Sequence, residues 1–143
     1  MAYVLMPFLL LITLAACSRQ SAYPEAPRSG QAISILISSL QAGIPQYFAY
    51  SQKGMNIHFF VVKVDDRVIS FLDACTKCYP QKKGFGFDSG SVICRACDER
   101  YPISAIEKGF GSCYPIRLEG RMENGRYLIS AADLEKLGAK YFR

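Results

Sequence analysis

Four cysteines stand in two pairs, Cys75/Cys78 and Cys94/Cys97, with fifteen residues between the pairs. This C-x2-C-x15-C-x2-C spacing constrains the fold more than any other feature of the chain. Two sulfurs three positions apart on a tight turn can bite one ion, and a second such turn brought over by a loop closes a tetrahedron of thiolates. A further fifteen residues lead from Cys97 to Cys113. The glycines of Gly109-Phe110-Gly111-Ser112 let the backbone approach closely there, so Cys113 reads as a fifth ligand, a replacement ligand or a free thiol. Disulfides are the alternative if the domain meets an oxidising compartment. An odd count of five and two Cys-x-x-Cys bites favour metal or redox chemistry over structural staples.

The sixth cysteine, Cys17, belongs to a different pattern. The apolar run from Val4 to Leu14 is interrupted by Pro7 and falls short of the roughly twenty residues that cross a bilayer, so it reads as the hydrophobic part of a signal peptide. Leu14-Ala15-Ala16-Cys17 follows at once and resembles a bacterial lipobox, whose cysteine is lipidated and becomes the first residue of the mature chain. Residues 18–30, rich in Ser, Pro, Gly and Ala, suit a tether. The expected organisation is a signal peptide over 1–16, a lipidated cysteine and tether over 17–31, and one folded domain over 32–143. That places the domain in the bacterial cell envelope, on the periplasmic or extracytoplasmic face, anchored by lipid.

The leader carries no charged residue, so the formal net charge of +5 belongs to the rest of the chain. A surface of that sign suits anionic lipid headgroups or an acidic redox partner, and equally an ordinary solvated face. Nucleic acid is not an expected partner. Attachment of a c-type haem needs His after the second cysteine of a pair, where this chain has Tyr79 and Asp98. His58, the single histidine, sits inside a strand pattern and reads as a packed or surface residue. No Ser-His-Asp set, paired-carboxylate signature or phosphate loop is present, so hydrolytic chemistry has no support.

Hydrophobic alternation around Ile33, Ile35 and Ile37 predicts a strand over 32–40, and 46–50 predicts a second. After a turn at Gln52-Lys53-Gly54, the β-branched and aromatic segments 57–64 and 67–72, separated by Asp65-Asp66, predict a hairpin that delivers Cys75 at its exit. A closing strand over 126–129 and a cap at Ser130-Ala131-Ala132-Asp133 predict a short helix stopped at Gly138. The segment between Cys75 and Cys113, punctuated by Gly and Pro and poor in long apolar runs, offers little core of its own. The expected fold is mainly β with short helices, an α+β single domain organised around the Cys-rich site.

Several segments together carry a family resemblance: Phe59-Phe60-Val61-Val62-Lys63, Phe71-Leu72-Asp73-Ala74-Cys75-Thr76-Lys77-Cys78-Tyr79, Lys82-Lys83-Gly84-Phe85, Cys94-Arg95-Ala96-Cys97, Tyr101-Pro102-Ile103, Gly111-Ser112-Cys113-Tyr114-Pro115-Ile116 and Gly138-Ala139-Lys140-Tyr141-Phe142. Over about residues 33–143 the chain resembles the FtrD-like family of membrane iron–sulfur proteins. Members are linked with bacterial iron-uptake systems of the FtrABCD type, in which this component is thought to pass electrons at the membrane. The resemblance implies that Cys75, Cys78, Cys94, Cys97 and Cys113 are the metal-site residues. Two departures stand out: Asp98 where the family usually has Gly, and Gly111-Ser112-Cys113-Tyr114-Pro115 where it usually has Gly-Gly-Cys-Asn-Pro. Larger members carry a multi-span membrane portion, which a lipid anchor would replace here.

The expected function is therefore a membrane-tethered, Cys-ligated iron or iron–sulfur protein that transfers electrons to a membrane permease or redox partner, more a redox carrier than an enzyme. A chain exported unfolded cannot carry a preassembled cluster, which favours a single ion, whereas the family favours iron–sulfur. Zinc and Cu(I) also suit a thiolate set. The alternatives are a structural zinc lipoprotein that binds a partner, and a thiol–disulfide oxidoreductase using Cys75/Cys78 or Cys94/Cys97.

Overall fold

A computed structural model describes residues 23–108, 111 and 113–143. The signal-peptide and Cys17 expectations lie outside the described residues, as do Gly109, Phe110 and Ser112. The longest strands are the expected hairpin, β4 (Met55–Val64) and β5 (Arg67–Cys75). Their registry runs from Phe59 opposite Leu72 to Val64 opposite Arg67, so Asp65-Asp66 forms the two-residue turn. With β3 (Gln46–Gln52) and β9 (Pro115–Leu118) they make an antiparallel sheet ordered β3-β4-β5-β9.

Both faces of this sheet are buried, which explains why β4 reads as a continuous apolar run rather than a clean alternation. Successive side chains point to opposite faces. Ile57, Phe59 and Val61 therefore join one core cluster. Phe60 and Val62 join the other. The first face is covered by a second sheet, β1 (Arg28–Ser29), β2 (Ala32–Leu36), β10 (Arg121–Glu123) and β11 (Arg126–Ser130), ordered β1-β2-β11-β10. The helix α1 (Ala131–Tyr141) closes that side. The other face is covered by a small sheet of β6 (Phe85–Asp88), β7 (Ser91–Cys94) and β8 (Arg100–Pro102). The result is the expected mainly β single domain, with one short α-helix.

Four expectations change. The strand over 32–40 stops at Leu36, because its partner β11 pairs no further than Arg126. Beyond it the Asn124-Gly125 turn accepts the Ile37 N–H at 3.0 Å, and 37–39 coil into a 3-10 turn. The tether does not reach residue 31. Ala26 is buried, its N–H donates to Ala49 O at 2.8 Å, and Pro24 O accepts from Ala49 N at 2.9 Å. Ser and Pro composition suits a sheet edge as well as a linker, which is why the boundary was invisible.

The third change concerns α1, which begins as expected, with Ser130 Oγ accepting from Asp133 N at 3.3 Å, but passes through Gly138 to Tyr141. A Cβ at Gly138 would overlap the Ile57 side chain. This glycine permits close helix–sheet packing and terminates nothing. Last, the Cys75–Cys113 segment does build core: Phe85, Val92, Tyr101, Ile103 and Ile106 pack with Phe60, Ile69 and Phe71. Strands of three or four residues with alternating burial leave no long apolar run in the sequence.

Candidate metal centre

The face of β5 that meets the small sheet carries Ile69, Phe71, Asp73 and Cys75 in strict alternation, so strand period alone sets Cys75 inward at the strand end. The chain then turns, and the Cys78 N–H donates to Cys75 Sγ at 2.7 Å, the local bond that folds a Cys-x-x-Cys bite. A 3-10 turn at Tyr79–Gln81 carries the chain away. Cys94 ends β7 opposite Phe85 of β6 and is buried. Its carbonyl accepts from Asp98 N at 2.8 Å and its N–H donates to Glu99 O at 2.9 Å, which curls residues 94–99 and leaves Cys97 exposed. Asp98 has φ +60°. That is the left-handed region which Gly adopts freely and Asp tolerates better than most residues, so Asp98 holds a turn that a glycine would also fit.

Cys113 enters just before β9. Thr76 N donates to Tyr114 O at 3.1 Å, and Cys75 stands opposite Pro115, with a register shift between Phe71 and Cys75. This pairing drives the Cys113 sulfur into the middle of the other four: 2.7 Å from Cys75, 3.0 Å from Cys97, 3.3 Å from Cys78 and 3.4 Å from Cys94. The sulfurs of Cys75, Cys78, Cys94 and Cys113 all lie within 4.8 Å of one another. Four thiolates bonded to one tetrahedral ion at about 2.3 Å would stand ~3.8 Å apart. The compact set thus exchanges Cys97, at the solvent edge, for Cys113. The two Cys-x-x-Cys pairs come together as the spacing predicts, and Cys113 is central rather than peripheral.

Crowding has an electrostatic consequence. Burial, then hydrogen bonds with Cys75, Cys97, Cys78 and Cys94, hold the Cys113 thiol far above its ordinary range. Cys97 moves down, chiefly through its hydrogen bond with Cys113. Several thiolates cannot share this space without a cation among them, and a bound metal deprotonates its thiols outright. Tyr101 lines the same region. It is 1% exposed, and its hydroxyl has no hydrogen-bond partner among the described residues. Burial first, then the electrostatic influence of Cys113, Glu99, Cys97 and Cys75, raises its pKa.

A polar latch holds the two ligand-bearing hairpins together. The Asp73 carboxylate accepts from Phe85 N at 2.6 Å through Oδ1 and from the Tyr23 hydroxyl at 2.6 Å through Oδ2. Arg95 Nη1 donates to Lys83 O at 3.2 Å and to the Tyr23 oxygen at 3.3 Å. Burial pushes the Asp73 carboxyl up, against the pull of the Tyr23 and Phe85 hydrogen bonds. Gly84, at φ +65°, has no room for a Cβ against that carboxylate. Sequence reasoning missed this latch; the available signal was an acid at an inward strand position, Asp73, in an otherwise apolar run. Arg95 serves the latch through Tyr23 and Lys83. His58 lies outside the sulfur cluster, stacked on Tyr23 at 4.2 Å and edge-on to Phe142 at 6.1 Å.

Residues 40–142 match the family described as "Membrane iron-sulfur containing protein FtrD-like". The chain belongs to the FtrD-like family. Comparison with curated proteins gave no match. The site fits what the FtrD-like description names: iron and iron–sulfur groups are held by Cys thiolates, and the donors gathered here are sulfur alone. The orphaned Tyr101 hydroxyl is a donor positioned near those sulfurs, of the kind that tunes such a site. The FtrD-like family is described as a membrane one, while no helix among the described residues is long and apolar enough to cross a membrane.

Proposed function

We propose that this protein is an electron-transfer component of the bacterial cell envelope, exchanging single electrons with a membrane permease or redox protein of an iron-uptake or respiratory system. The observation that carries the reading is the convergence of five sulfurs, with no oxygen or nitrogen donor among the four that stand closest. Cys75, Cys78, Cys94 and Cys113 would hold iron, as an ion or a cluster, with Cys97 beside them. Iron bound there supplies a one-electron couple.

The chain's own residues prepare that couple. Cys75, Cys94 and Cys113 are buried, and Phe60, Phe71 and Phe85 pack around them, so water is kept from the inner side. Cys97 is exposed and Cys78 half-buried, which gives a partner protein one edge to approach. The Asp73 latch fixes the distance between the two bites, so little rearrangement accompanies a change of charge. Cys17, lipidated after signal cleavage, would tether the domain; metal would be acquired after export.

Protein purified without oxygen, analysed for metal and followed by absorption and paramagnetic resonance through one reductive cycle, tests the redox reading. Coloured protein with stoichiometric iron that cycles by one electron is expected. A colourless protein with stoichiometric zinc removes the redox role. Fatty-acid labelling of cells tests the anchor: Cys17→Ser should abolish the label and release the domain from membranes, and an unchanged label would overturn the lipobox reading.

A further inference from the structure

Beside the sulfur cluster lies a cavity of about 460 Å³, within the size range of small-molecule sites. Its floor is formed by Cys75, Cys78 and Cys94. Its walls are rings: Tyr79 and Tyr141 stand edge-on to each other at 5.0 Å, and His58, stacked on Tyr23, meets the edge of Phe142. At the rim are Lys82, Lys83 and Arg95. Asp73 is the single acid among the lining residues, and both of its oxygens are already engaged by Phe85 N and the Tyr23 hydroxyl. Lys82 and Lys83 form no ion pair among the described residues. The cavity therefore combines uncompensated positive charge at its mouth with flat apolar surfaces inside.

Each half of that combination selects a ligand feature. Aromatic walls favour a planar ring, which stacks or packs edge-to-face on them. Lysine ammonium groups favour a phosphate or carboxylate. A bare anion would leave the rings unfilled, and a neutral ring would leave the lysines unpaired. We propose that this cavity binds a planar conjugated ring bearing a phosphate or carboxylate, with the ring over the cysteine floor and the anionic group at Lys82 and Lys83. A ring so placed lies against the metal ligands, where an electron carrier has to be. That role rests on the redox reading of the sulfur site; the binding does not.

Flavin mononucleotide is a suitable probe, because stacking quenches its fluorescence. The full chain, metal-loaded as purified, would be titrated with flavin mononucleotide, with riboflavin as the ring without the anion, and with inorganic phosphate as the anion without the ring. Saturable quenching by flavin mononucleotide, about tenfold tighter than riboflavin, with phosphate competing only weakly, is expected. Lys82→Ala with Lys83→Ala, both on an exposed loop, should remove that preference and leave riboflavin binding unchanged. Tyr79→Leu should weaken both flavins.

Absence of saturable quenching, phosphate binding as tight as the flavin phosphate, or an unchanged affinity in the double lysine variant would each overturn the site. Iron that cycles in protein unable to bind the flavin sinks the cavity proposal alone. Redox-silent zinc in protein that binds it as described sinks the electron-transfer reading alone.

Discussion

Cys113 and Cys97 differ at the residue scale in a way their spacing conceals. Each Cys-x-x-Cys bite is a local feature, so Cys75, Cys78, Cys94 and Cys97 were legible as site residues from sequence. The glycines before Cys113 left it open as a fifth ligand, a replacement ligand or a free thiol; its central place depends on β9 returning to pair with β5, a contact between segments about forty residues apart, which no local pattern fixes. Cys113 touches all four other sulfurs, while Cys97 is exposed at the edge. Cys113→Ser is therefore expected to lower metal content more than Cys97→Ser does, since it removes a buried ligand from the compact four. Metal analysis after dialysis against a chelator checks the order; equal losses would show that the pairs, not the compact four, hold the ion.

His58 supplies a pH dependence at the same scale. Burial holds its pKa below the ordinary histidine value, with the nearby Asp73 charge pulling the other way. A base with a depressed folded-state pKa contributes stability above its unfolded value, about 6.5, and loses it as pH falls through the folded value. The melting temperature should thus fall more steeply for the natural chain than for His58→Gln between about pH 7 and pH 5. Parallel curves would show that the half-buried imidazole takes up its proton in the fold without cost.

At the scale of elements, α1 shows where reading a sequence works and where it stops. Ser130 and Asp133 announce the helix start, since a cap is a matter of neighbouring residues. Gly138 announces an end that does not come, because the cause of that glycine is Ile57, some eighty residues earlier on β4. The same holds for β6, β7 and β8: the hairpin loop Ser89-Gly90 has positive φ at both residues, but its strands are too short to stand out from a loop. Gly138→Ala sets two effects against each other. Helix propensity gains ~1 kcal/mol, while a methyl forced onto the fully buried Ile57 costs about 1–3 kcal/mol. Because Ile57 is fully buried in the core, net destabilisation is expected, seen as a melting temperature lower by several degrees. A variant that melts at or above the natural temperature would mean that the helix shifts to make room.

At the scale of the whole molecule, three layers share one central sheet, and the sulfur site sits between that sheet and the smallest layer. Sequence composition led to the expectation that residues 75–113 would build little core of their own. The buried Phe85, Val92, Tyr101, Ile103 and Ile106 give this layer apolar anchors of its own, each contributing about 1.5–3 kcal/mol when fully buried. Hydrogen exchange on metal-free and loaded protein should accordingly show similar protection in β6, β7 and β8, with differences confined to the turns at 76–81 and 95–99. Loss of protection throughout β6–β8 on metal removal would show that these anchors do not suffice without the metal.

Cys75, Cys78, Cys94 and Cys113 gather their sulfurs in one place in this FtrD-like domain, where the proposed function puts iron. X-ray absorption at the iron edge of anaerobically purified protein tests it most directly. Stoichiometric iron whose first shell is sulfur alone is expected, with loss of that signal in Cys113→Ser. Iron surrounded by oxygen or nitrogen, or zinc in its place, would contradict it.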